Sequence, residues 1–416
     1  MYDLDFSIYD LDYYDRPLKI NLPRFYKELL DNQCIHSIYF QMLPWSFWAE
    51  QSEFINMLFG RIVNDKILVI SEAPLVSMKH VPLTVMRILQ MNETPQAHYF
   101  PDTLTALELR AYRTLQPIGN GVLPPSLMEL TLERLDLGLD LAAVLPRSLT
   151  KLNLSMYHRP IRHIPPSVID LTLGHECTSV IECGQYLQSL VITKAVRTFD
   201  SSNIVFQCLT KLVLIDALPE VISSITSSTF PVLADLQVRY HLRSSQTMAL
   251  SASALPSSLT RLCIPWCELL SPPLDSIDTI EITVRDATPT LSLAILPTSI
   301  TSLHLRQNFS NSFKVYNQLD AIQVEHLPYA LHSLHLSPGI YQVESCFQRA
   351  KVESLLARLP NTVTNVTFCS GSTKIIRLTN TILFMVRQKH DFEDHDCNSL
   401  LMTGYIKIGD LDGVRY

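Results

Sequence analysis

The signatures that would assign a chemistry are missing from this 416-residue chain. It has no GxxxxGK[ST], GxGxxG, GxSxG or HExxH segment. Phosphate-cradling loops, nucleophile elbows and zinc-binding helices of the familiar kinds are therefore absent. CxxC is absent as well. The nine cysteines, an odd number, are scattered, with Cys177/Cys183 and Cys263/Cys267 the closest pairs. That spacing gives neither a disulfide framework nor a zinc site and fits reduced thiols. Positive charge is scarce: 33 Lys and Arg against 40 Asp and Glu leave a net charge of −7. Phosphate neutralisation needs clustered cations, so the balance speaks against a nucleic-acid partner. No apolar run approaches the roughly 18 residues of a membrane span. The segment Met1–Asp15 is acidic and aromatic, without the basic start and apolar core of a secretory signal. These features predict a cytoplasmic or nuclear protein with no membrane association.

Glycine is also rare, at 11 residues, whereas proline reaches 25. Hydrophobic residues make up 47% and charged residues 18%, enough to bury a large core and too apolar for disorder. The prolines are periodic. The stretch LPRSLTKLNL at 145–154 recurs as LPPSLMELTL at 123–132, IPPSVIDLTL at 164–173, LPSSLTRLCI at 255–264, LPTSITSLHL at 296–305, LPYALHSLHL at 327–336 and LPNTVTNVTF at 359–368. Weaker copies lie at 81–90 and 100–109. Three more keep the apolar triplet without the proline: Leu187/Leu190/Ile192, Leu209/Leu212/Leu214 and Leu233/Leu236/Val238. A fourth is Ile277/Ile280/Ile282. Thirteen units result, about 23 residues apart, which lies within the leucine-rich-repeat range. The intervals stretch before 328 and before 360.

The final L-x-L of each unit has period two, so both side chains enter one face of a short strand. A single such strand cannot bury its apolar face. Stacked units can, as a parallel ladder with a continuous core. Proline lacks an N–H and fixes φ, which suits the turn before the strand. Ser or Thr two residues later can satisfy backbone groups in that turn. The fold class predicted is a leucine-rich-repeat-like solenoid, a parallel strand ladder with short turns and few helices, capped at both ends.

The frame resembles the FNIP repeat. The match is fullest at Leu115-Gln116-Pro117-Ile118 followed by Gly121 to Leu127, and Tyr157–Ile161 and Tyr316–Leu319 echo the first part. The resemblance covers roughly 80–370. It implies a solenoid that interacts with protein, and no catalytic residue transfers with it. Some relatives carry an N-terminal F-box-like segment.

The predicted organisation is an N-terminal cap at 1–75, a solenoid at 76–370 and a C-terminal cap at 371–416. In the first cap Tyr2, Leu4, Phe6 and Ile8 alternate with polar residues. Helical spacing follows Pro23 and recurs from Trp45 to Phe59, and Leu22-Pro23-Arg24-Phe25 opens like an F-box. The second cap has strand-like stretches at 375–378, 382–386 and 405–408. Between them lie His390, Asp394, His395 and Cys397, whose spacing fits no metal motif and reads as an acidic loop.

Residues flanking the core leucines should form columns on the concave face, neighbours coming from adjacent strands. The column before the first strand leucine runs from Arg87 through Glu129, Lys151, Asp170, Lys211, Asp235 and Arg261 to Asn365. The next column runs from Leu89 through Glu108, Cys263, Glu281, His304 and His335 to Thr367. Alternating charges in the first column predict cross-strand ion pairs. Glu108, Glu129 and Glu133 lie toward the N-terminal half, and Arg239, Arg261, His304, Arg306 and His335 toward the C-terminal half. Such a bipolar face can orient a partner, so these eight residues are the candidate partner-binding set. The functional expectation is a monomeric, non-catalytic scaffold for a protein partner, without metal or cofactor. The alternative is a ubiquitin-ligase substrate adaptor that docks the ligase through residues 1–75.

Overall fold

The computed structural model describes residues 2–7, 35–41, 67–72, 79, 83–91, 93–111, 116–135, 141–155, 164–174, 186–193, 205–217, 221–222, 224–239, 249–251, 255–265, 268–270, 276–285, 296–308, 327–337, 355–368, 373–379, 382–389 and 400–407. The helical segments expected after Pro23 and from Trp45 to Phe59, the acidic segment from His390 to Cys397, and Tyr157–Ile161 and Tyr316–Leu319 all lie outside these. The chain forms two compact units, Met1–Leu209 and Thr210–Tyr416.

The first unit opens with a parallel pair, β1 (Tyr2–Ser7) and β2 (Ile35–Gln41). A parallel ladder follows: β3 (Ile67–Glu72), β4 (Val85–Met91), β5 (Ala106–Ala111), β6 (Glu129–Glu133), β7 (Lys151–Leu154), β8 (Asp170–Leu173) and β9 (Ser189–Thr193), each paired with the next. Its core is the leucine triplet. Leu130, Leu132, Leu152, Leu154, Leu171 and Leu173 are all buried, and Leu130, Leu152 and Leu171 stand side by side in register.

The second unit repeats the design. Its ladder is β10 (Lys211–Ile215), β11 (Asp235–Arg239), β13 (Arg261–Pro265), β15 (Thr279–Arg285), β16 (Ser302–Asn308), β17 (Ser333–Ser337) and β18 (Asn365–Phe368). A small parallel pair, β12 (Ala249–Ser251) and β14 (Glu268–Leu270), lies outside it. The chain then turns antiparallel through β19 (Thr373–Arg377), β20 (Ile382–Lys389) and β21 (Leu400–Lys407), which extend the sheet from β18. Arg377 fastens this extension to the last unit. Its guanidinium donates to the carbonyls of Leu356, Leu359 and Pro360 and to Asn361 Oδ1 at 2.8–3.3 Å.

Each of the thirteen expected units supplies one ladder strand, but one frame moves. In the first unit Leu83, Met86 and Ile88 are fully buried and Leu89 is 42% exposed. Pairing sets Met86 beside Leu107 and Arg87 beside Glu108. The core frame therefore starts two residues earlier than the proline at 82 implies, and Arg87, not Leu89, belongs to the second column.

The turns explain the motif. Proline at the anchor accepts a bond from the N–H three residues on, as in Leu127 to Pro124 and Leu331 to Pro328, at 3.2 and 3.1 Å. Phe206 and Phe230 take the same place in two units without proline, both buried. The motif serine reaches beyond its own turn. Ser148 Oγ donates to the carbonyls of Pro125 and Leu127 one unit earlier, both at 2.7 Å. Thr103, Ser258 and Ser299 likewise reach the preceding Leu83, Leu233 and Ile277 carbonyls at 2.7–2.8 Å. Two residues beyond the motif serine, one carbonyl per unit accepts two successive N–H groups of the next unit. Thr150 N and Lys151 N, for example, both donate to Met128 O, at 2.9 and 3.0 Å. These bonds satisfy backbone that would otherwise be stranded between strand and turn.

Candidate functional site

The polar face of the first ladder carries Glu108, Glu129 and Glu133. None of them stands as a free negative charge. Arg110 donates to Glu108 at 2.7 and 2.9 Å through two nitrogens and lies 3.4 Å from Glu133. The guanidinium of Arg87 is 3.5 Å from Glu108, and Lys151 is 3.6 Å from Glu129. The bond to Glu108 raises the Arg110 pKa further. Sequence reading singled out the three glutamates and passed over Arg110. It sits two residues beyond Glu108, and period two places both on one face.

On the second ladder the candidates gather over four strands. Arg239 Nη2 donates to Gln237 Oε1 at 2.7 Å, and Gln237 Nε2 donates to both Asp235 oxygens at 3.2 and 3.0 Å. Asp235 lies 3.7 Å from Arg261, which in turn lies 3.7 Å from Glu281. Glu281 is 3.9 Å from Arg306. One polar chain thus runs from Arg239 to Arg306 across β11, β13, β15 and β16. Asp235–Arg261 and Glu129–Lys151 are the cross-strand pairs that the alternating first column anticipates. Exposed pairs of this kind contribute at most about 1 kcal/mol each.

The second column is less open than its alternation implies. Val213, Gln237 and Cys263 are buried, with Gln237 at 5% exposure and Cys263 at 1%. The physical reason is side-chain length: Arg239 and Asp235 fold over Gln237 from its own strand. Burial, with Glu281 beside it, pushes the Cys263 thiol up to about 12, against the pull of Arg239. That sulfur is a protonated, inert core atom at neutral pH.

His304 and His335 do meet. Their rings stack with centroids 4.0 Å apart at 26°. His304 Nε2 lies 3.1 Å from Ser302 Oγ. Burial, then His335, pushes the His304 pKa down to about 4, with Arg261 acting the same way and Glu281 opposing. Burial and Lys374 lower that of His335. Among the described residues no three His, Cys, Asp or Glu side chains are grouped to hold a metal.

The stacked pair carries a pH prediction. His304 is neutral when folded and titrates near its ordinary value of about 6.5 when unfolded. A depressed histidine contributes stability that is complete above the unfolded value and is lost as pH falls from there through the folded one. Between pH 7 and pH 5 the wild type should lose about 1–2 kcal/mol more than His304→Gln, after allowance for partial solvent screening. Urea unfolding at both pH values measures this. Equal losses in the two proteins would show that the ring is not held neutral.

These ladders, with leucine triplets inside and polar columns outside, define a leucine-rich-repeat-like solenoid. No family model matches the sequence, and no curated protein does. A solved structure similar to this chain is that of CroV588, described as a novel circular LRR protein structure, at 18% identity and a TM-score of 0.47. The match covers 74% of this chain and 44% of that one, so the chain spans less than half the length of that protein.

Proposed function

We propose that the chain is a non-catalytic, monomeric cytoplasmic scaffold of the FNIP-repeat type. It holds a protein partner on the polar face of its second ladder, through Arg239, Arg261, His304, Arg306 and His335. The observation that carries this reading is the connected array from Arg239 to Arg306, set on adjacent strands of one backbone ladder. Such an array costs little to order on binding, because the strands already fix the positions of its side chains. Arginine also suits interfaces, where its planar donors meet carboxylates and aromatic faces.

The test is Arg239→Glu combined with Arg261→Glu, read by proximity labelling in the native cell and by circular dichroism of the purified variant. Neither substituted position belongs to the leucine core, so the fold should persist. Labelling of specific neighbours should fall at least about tenfold, and the loss in vitro should be largest at low salt, where charge steering is strongest. Unchanged labelling by a folded double variant would remove this face from consideration.

A further inference from the structure

The two ladders use arginine differently. In the first, Arg110 makes hydrogen bonds of 2.7 and 2.9 Å to Glu108, so its donors are committed. In the second, the arginine–carboxylate separations are 3.7, 3.7 and 3.9 Å. These exceed the 2.7–2.9 Å or so of a charge-assisted hydrogen bond. Among the described residues no N–H of Arg261 or Arg306 bonds a carboxylate, and the side chains are each 42% exposed. Arg239 is exposed and oriented by the buried Gln237 amide, which takes a single N–H of its fork. Three guanidinium groups thus face two carboxylates, Asp235 and Glu281, and among the described residues their hydrogen bonds are those of Arg239 to Gln237 and Cys263. The His304–His335 pair beside them adds no charge at neutral pH. The result is a local cationic, donor-rich patch on a chain whose net charge is −7.

We propose that this patch binds an acidic peptide segment in extended conformation, its carboxylates accepting from Arg239, Arg261 and Arg306. The inference rests on the scaffold reading above and names the partner's chemistry. Arg239 and Arg306 hold equivalent positions on β11 and β16, three ladder steps apart. At about 4.8 Å per step that is about 14 Å. An extended chain covers the same distance in about four residues, and residues i and i+4 point to one face. Acidic residues at alternate positions, running across the strands, therefore match the patch. A nucleic-acid strand matches less well, because every one of its residues carries a phosphate and the chain, at a net charge of −7, lacks the clustered cations that neutralise such a row.

The experiment uses the purified full chain and a fluorescein-labelled peptide alternating Glu with Thr over nine residues. Comparison probes are the Gln-for-Glu peptide and a single-stranded oligonucleotide of equal length. Fluorescence anisotropy at about 50 mM salt should show the acidic peptide binding at least about tenfold more tightly than either comparison. Arg239→Ala with Arg306→Ala should weaken it at least tenfold, whereas Arg147→Ala, on a turn away from the face, should not. Should the alanine variant fail to fold, Arg239→Lys with Arg306→Lys keeps the charge and removes the fork, and the same weakening is expected. Equal binding of the Gln peptide, tighter binding of the oligonucleotide, or full affinity in a folded arginine variant would each overturn the proposal. If labelling in cells depends on Arg239 and Arg261 while the acidic peptide does not bind, the scaffold reading stands and this inference alone falls.

Discussion

Replacing Leu152 by alanine should lower the free energy of unfolding by about 2–5 kcal/mol. Leu152 is 1% exposed and stands between Leu130 and Leu171 on neighbouring strands. Truncation removes buried apolar surface and leaves a cavity walled by residues of two adjoining units. Those units are held by ladder bonds and by the hydroxyls of the turns, so they cannot close onto the gap. A matched change on the other side of the same strand, Asn153→Ala, removes a half-buried polar side chain and should cost less than about 1 kcal/mol. Urea unfolding of both variants makes the comparison. If the two costs were equal, the assignment of inner and outer faces would be wrong.

A comparable loss, about 2–4 kcal/mol, is expected from Gly174→Ala. Gly174 follows β8, and its N–H donates to the Leu154 carbonyl at 3.1 Å. A Cβ there would collide with the carbonyl oxygen of Ser155 and lie 2.9 Å from its carbon. Both are backbone atoms of the preceding unit, so relief requires one unit to move against the next. Glycine occupies the site because the two backbones approach too closely for any side chain. By contrast, Gly119 has nothing within 4 Å of such a Cβ, and Gly119→Ala should be nearly neutral. Thermal melting of the two variants separates them, and a Gly174→Ala protein that melts like wild type would show that the approach is looser than this.

The ladder was legible in the sequence because its signal is redundant. A nine-residue frame with period-two leucines repeats often enough that single departures do not hide it. The first unit was misread for the same reason that the others were read. Pro82 lies close to where an anchor proline is expected, yet the core there is Leu83, Met86 and Ile88. Units lacking proline concealed their anchor, since Phe206 and Phe230 fill it with a large apolar side chain and no φ restriction. The polar face was legible only as columns. Strand alternation indicates which side a residue faces, but not whether long neighbours will cover it. Gln237 and Cys263 are buried on the nominally exposed side for that reason, and no periodicity marks them. Nor does a column reveal distance: Arg110 and Arg261 both neighbour glutamates, and only the geometry shows that one is bonded and the other is not.

The turn bonds carry a direction. Most hydroxyl and N–H donors of the turns before the strands point to carbonyls of the unit before, as Ser148 does to Leu127 and Lys151 does to Met128, whereas past the strands Thr94 and Asp216 donate forward to Gln116 and Arg239. During synthesis from the N-terminus, every emerging unit meets acceptors that are already in place, so the ladder can assemble in the order in which it is made. Truncation is asymmetric for the same reason. Loss of units from the C-terminal end leaves carbonyls facing water, which hydrates them readily. Loss from the N-terminal end strips the acceptors from a row of donors. A shortened array should therefore tolerate missing late units better than missing early ones.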